Sequence, residues 1–144
     1  MRNRWSVGLA GAAVTALTLG AGPAAATPPG PGVSGVILAQ RTVHGKDYVL
    51  REITIPPGQS TGWHYHDGML YGVVKAGTLS HFDSTCASDG VYPTGRTIVE
   101  PSGPSNVHLG RNLGADPVVL DVLYVNPAGS PLSEDAANPG CDFQ

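Results

Sequence analysis

From residue 33 onward, apolar and polar positions alternate in short runs, each closed by glycine or proline, and no stretch carries the apolar spacing of an amphipathic helix. Residues 36–40 and 48–55 are rich in β-branched and aromatic side chains and flank a polar turn at His44, Gly45, Lys46 and Asp47, which predicts a hairpin. In the second run Val49, Arg51, Ile53 and Ile55 share one face by parity. Arg51 is the odd member of that apolar set and either emerges at the edge of the sheet or looks into a cavity, the edge being favoured because an unpaired buried charge is costly. Residues 69–74 predict a strand, Lys75 to Gly77 a turn, and residues 78–82 its hairpin partner; the polar stretch 83–94 reads as a loop. Strands over 97–100, 105–109 and 117–125 complete the set, and the nearly continuous apolar run from Val118 to Val125 predicts a central strand. Residues 127–144 read as an irregular tail with at most one helical turn near Glu134. Many short strands at regular spacing predict an all-β sandwich or barrel.

The two ends change the picture of where this barrel works. Arg2 and Arg4 precede a mostly apolar stretch from Val7 to Leu19, and Ala24, Ala25 and Ala26 supply small residues for cleavage, so residues 1–26 read as a secretory signal peptide. The apolar stretch is short of the roughly 20 residues a membrane span needs. Residues 27–32, rich in proline and glycine, are expected to be a disordered lead-in. Residues 33–126 then hold the barrel. The formal charge of -3 becomes -5 once the two arginines leave, with six Lys and Arg against eleven Asp and Glu. A mildly acidic exported chain without a basic run predicts no nucleic-acid partner and, after signal removal, no membrane association. Cys86 and Cys141 are the two cysteines, and in an exported protein an even count favours a disulfide that ties the tail to the 83–94 loop.

The candidate chemistry is concentrated between Gly58 and Gly77. His64 and His66 are one residue apart on a segment expected to be extended, so both imidazoles point to one side, where a single metal ion can take both. Gly58, His64, His66 and Gly77 fall on the fixed positions of a G-x5-H-x-H-x(3,4)-E-x6-G pattern, and Gly95, Pro101, Gly103, His108 and Asn112 follow a second pattern, G-x5-P-x-G-x2-H-x3-N, with the histidine two residues late. The two patterns in this order resemble the paired motifs of the cupin superfamily. The resemblance implies a double-stranded β-helix, the cupin or jelly-roll barrel. It also implies a divalent metal held by His64, His66 and His108. Where the first motif has glutamate, this chain has Leu70, or Tyr71 in the neighbouring register, so the implied site has three histidines and no carboxylate. Such a centre keeps the ion's full charge and leaves three of six positions open.

Three-histidine sites occur among cupin oxygenases, so the resemblance implies a metal-dependent dioxygenase-like enzyme acting on a small chelating metabolite, with Tyr71 as a candidate catalytic residue. The competing reading is a metal- or small-ligand-binding barrel without turnover. Iron, copper, manganese, nickel and zinc all remain open, export disfavouring iron(II). A homodimer is implied by resemblance alone. His44 is expected at the surface and Trp63 in the core; His81, alternating with Leu79, either flanks the pocket or, as favoured, is a structural or exposed residue.

Overall fold

The computed structural model describes residues 26–144; residues 1–25, which carry nearly all of the signal-peptide reading, lie outside the described residues. Among the described residues ten strands form two sheets. In spatial order, the first contains β1 (Ser34–Val43), β2 (Lys46–Ile55), β9 (Val118–Pro127), β4 (Met69–Ala76) and β7 (Thr97–Glu100). The second contains β10 (Glu134–Asp135), β3 (His64–Tyr65), β8 (His108–Arg111), β5 (Thr78–Asp83) and β6 (Ser88–Pro93). All pairings are antiparallel.

β9 is central, as its apolar run predicts, flanked by β2 and β4. Along it Val118, Leu120, Val122 and Tyr124 are buried while the intervening residues are half-buried, the two-residue period of a strand with one face in the core. Those four pack with Val49, Ile55, Leu70, Val74, Leu79 and Ile98 in one apolar core that draws on both sheets. The predicted first hairpin is present: β1 and β2 pair along their length, and His44 (φ 50°) and Gly45 (φ 74°) make the two successive left-handed residues of a type I′ turn.

Several local expectations are overturned. β4 and β5 are not hairpin partners, because they belong to different sheets. Gly77 (φ 75°) is the corner between them, and a Cβ there would stand 2.7 Å from the Pro117 carbonyl oxygen, so the chain turns against β9 where only glycine fits. The polar stretch 83–94 holds β6, which pairs with β5 despite Gly90 and Pro93, as an edge strand tolerates. Glu134 and Asp135 form β10 against β3, not a helical turn.

The lead-in is ordered rather than disordered. Thr27 is buried; its hydroxyl donates to the Ala136 carbonyl at 3.0 Å and accepts from the Trp63 amide at 2.7 Å, and the Gly30 amide donates to the Ser60 carbonyl at 2.8 Å. Proline and glycine supply no apolar packing, but the backbone groups they leave free dock the segment beside the histidine strand.

Candidate metal centre

β3 and β8 bring His64 and His108 directly opposite each other, with ring centroids 4.4 Å apart, and His66 lies 4.9 Å from the first ring and 5.1 Å from the second. The two residues by which the second motif is late are absorbed before β8, where the Asn106 amide donates to the Gly103 carbonyl at 3.0 Å in a turn. The motif's asparagine, Asn112, is fully buried and structural: its side-chain amide donates to the Ile55 and Asp116 carbonyls, both at 2.8 Å.

Each of the three rings is oriented the same way. Nδ1 of His64 donates to the Gly62 carbonyl at 2.8 Å, Nδ1 of His66 to that of Leu132 at 2.7 Å, and Nδ1 of His108 to that of Asn106 at 2.8 Å. A carbonyl oxygen only accepts, so the ring hydrogen sits on Nδ1 and the Nε2 lone pair is left facing inward. This is the arrangement by which outer partners aim histidine ligands at a metal.

The carboxylate absent from the expected slot arrives from another strand. Glu100, the last residue of β7, sends its side chain from the first sheet to the histidines of the second, with Oε2 at 3.0 Å from His66 Nε2 and 3.1 Å from His108 Nε2. In register it stands directly opposite Leu70, the slot where the resemblance asks for glutamate. Facing residues of adjacent strands share a face and put their Cβ atoms about 5 Å apart. The three-histidine expectation is therefore corrected: His64, His66, Glu100 and His108 place one donor atom each within 4.8 Å of one another.

His81 flanks the cluster as a buried structural residue. It is buried on β5, its Nδ1 2.6 Å from Asp89 Oδ1 and its Nε2 3.3 Å from Glu100 Oε1. It thereby engages one carboxylate oxygen of Glu100 and leaves Oε2 to the histidine cluster. Burial works against its charge, but Glu100 and Asp89 outweigh it and raise its pKa above the ordinary histidine value. His64 is pushed down to about 3 by burial and by the charge that His108 and His66 would carry if protonated.

These residues fit a divalent transition metal. Nε2 of His66 and of His108 are buried without a hydrogen-bond partner, yet each faces a carboxylate oxygen at about 3 Å. Lone pairs do not converge on a carboxylate unless a positive charge lies among them. Supplying it with protons needs several imidazolium ions in mutual contact, against the like-charge repulsion that already depresses His64. One metal ion satisfies all four donors at once. Three imidazoles and a carboxylate suit first-row ions from manganese to zinc, and six-coordination leaves two positions open. The carboxylate also lowers the centre's net charge by one relative to the three-histidine expectation.

The remaining expected residues are placed as follows. Tyr71 is 46 % exposed on the outer face of β4, beside Val99 and Leu123, while its neighbour Leu70 points inward at 4 %. It cannot touch a ligand at the metal, and its catalytic role is withdrawn; we expect Tyr71→Phe to leave metal content and ligand binding unchanged, measured by elemental analysis and calorimetry. Arg51 is not at a free edge. It lines a cavity of about 100 Å³ together with His64, His66 and Tyr124. Burial pushes the Tyr124 phenol up to about 12 although the adjacent Arg51 charge pulls the other way. His44 is exposed, and Trp63 is fully buried against Phe143, as expected. Cys86 and Cys141 form the expected disulfide, with Cα atoms 5.5 Å apart.

No protein-family model and no curated protein matches the sequence. Solved structures do match. A conserved double-stranded β-helix protein from Klebsiella pneumoniae superposes with a TM-score of 0.57 at 20 % identity, over 75 % of this chain and 88 % of its own. A cupin domain from Bordetella pertussis gives 0.55 at 20 % identity, over 67 % and 95 %. A cupin-like protein from Thermotoga maritima gives 0.56 at 16 % identity, over 74 % and 75 %. With two antiparallel sheets, no helix among the described residues and these neighbours, the chain has a double-stranded β-helix fold like that of these cupin structures.

Proposed function

We propose that this protein is an exported metalloprotein that binds one divalent transition metal through His64, His66, Glu100 and His108 and acts on a small ligand at the ion's open positions. The observation that carries the reading is the shared orientation of the three histidines, each held through Nδ1 by a backbone carbonyl so that Nε2 faces one buried carboxylate. A bound ion supplies a Lewis acid with open positions inside a largely apolar chamber lined by Leu70, Leu79, Ile98, Leu120 and Val122. The Cys86 to Cys141 disulfide supports export, because such links persist in oxidising compartments.

Dioxygenase-like chemistry on a small chelating metabolite is the activity we assign to such a centre. A bound ion would supply open positions for a ligand and dioxygen, and His81 and Glu100 form a polar edge to the chamber. Metal-dependent oxygen uptake with a candidate metabolite supports turnover; ligand binding without uptake by protein loaded in turn with iron, manganese, copper and nickel identifies a binding protein instead. The primary test is metal content after export and purification without chelator or nickel resin. About one equivalent is expected in the wild type and almost none in a His64→Ala, His66→Ala variant. Equal content in both removes the site. We also place any homodimer contact at β1, an edge strand that exposes Val36, Ile37 and Leu38, to be read by light scattering.

A further inference from the structure

Arg51 is the one cation on the wall of the cavity that reaches His64 and His66, and no carboxylate among the described residues pairs with it. Its place is made for it by β1. The guanidinium lies over Gly35, where a Cβ would collide with Nε, Cζ and Nη2. A half-buried guanidinium without a counter-ion is costly to keep unless an anion completes it. Beside it, Tyr124 lines the same cavity.

The separate cavity on Glu100, His81 and His108 has the opposite character, being lined by Asp83 and Asp89 with no Lys or Arg. An anion reaching the cluster is therefore favoured on the Arg51 side alone. The cavity there has a volume of about 100 Å³, enough to hold a small molecule.

We propose that this cavity takes a small carboxylate ligand, its carboxylate lying on the Arg51 guanidinium while a second oxygen donor occupies an open position of the metal. A planar guanidinium fork matches a carboxylate in two parallel hydrogen bonds, which a point charge does not. The assignment rests on the metal reading above and adds the ligand class and the residue that selects it.

Glycolate and glycolamide test it, because they share shape and donor hydroxyl and differ in the charged group. Each is titrated into cobalt(II)-loaded protein, whose visible absorption reports binding at the ion. The metal's own charge favours glycolate, so the decisive quantity is the change on altering Arg51. Arg51→Met is expected to weaken glycolate about 10-fold or more and to leave glycolamide and cobalt content unchanged. Arg51→Lys is expected to recover part of the loss. Gly35→Ala keeps the arginine but displaces its head, and is expected to behave like Arg51→Met. Glycolate affinity that is unchanged in Arg51→Met and Gly35→Ala, or no spectral response to glycolate in the wild type, overturns the proposal while the metal site stands. A wild type that takes up neither cobalt nor zinc overturns the metal reading itself, and the ligand assignment with it.

Discussion

Glu100→Leu is expected to weaken metal binding by about 100-fold or more, and adding Leu70→Glu to the same chain is expected to restore much of it. Removal of an outer partner that merely orients a ligand already lowers affinity 10- to 100-fold, so loss of the only carboxylate donor lies at or beyond the top of that range. Leucine in its place leaves three nitrogen donors and an ion whose charge nothing in the chamber offsets.

Restoration follows from register. Leu70 and Glu100 are directly opposed across β4 and β7, both buried and both facing the cluster. Exchanging them conserves the pair's composition and moves the carboxylate by about one cross-strand spacing. Tyr71→Glu with Glu100→Leu is the control. Its carboxylate would stand on the outer face, and metal binding should stay at the level of Glu100→Leu alone. Isothermal titration with zinc, on variants whose circular dichroism matches the wild type, separates these outcomes. A Leu70→Glu, Glu100→Leu protein no better than the single variant would mean that the two positions do not address the same point.

The same pair explains what could be read from the sequence. His64, His66 and His108 were legible because two-residue spacing on a strand and the order of two motifs depend on local geometry alone. Glu100 was not, because a motif records which position of one strand holds a ligand and is silent about the residue facing it on the next. A signal did exist. Ile98 and Glu100 share a parity, and a single carboxylate on an otherwise inward face, just before Pro101, is the kind of buried charge that needs a partner. Arg51 carries the same signal on β2, but nothing in a single strand tells a solvent edge from a cavity wall. Conversely, the alternation in β9 and the polar turn at His44 and Gly45 were sufficient, since strand period and turn chemistry act over a few residues. Gly77 was misread as a hairpin turn for the opposite reason. A left-handed glycine permits a reversal, but here the proximity of Pro117 and Val118 makes it a corner between sheets.

Cys86→Ser with Cys141→Ser is expected to lower the melting temperature by roughly 15 °C while leaving metal content near one equivalent. The link joins residues 55 apart, and loop-closure entropy for that separation is worth about 4 kcal/mol. For a domain of this size each kcal/mol moves the midpoint by about 4 °C. Metal content should survive because the tail's contribution to the site is anchored upstream of Cys141. Leu132, whose carbonyl orients His66, lies between Pro131, whose carbonyl accepts from the Asn126 side chain at 2.8 Å, and β10, which pairs with β3. Beyond Cys141 the tail has a second hold, since Phe143 packs on Phe82 with ring centroids 4.8 Å apart, near Trp63, with the Arg111 guanidinium 4.9 Å from its centroid. Phe143→Ala therefore isolates the other half of the attachment, and a melting temperature unchanged by loss of both cysteines but lowered by Phe143→Ala would assign the tail's stability to aromatic packing. A fall in metal content on loss of the disulfide would instead show that the Leu132 carbonyl is held from its C-terminal side, and that the disulfide reaches the metal through His66.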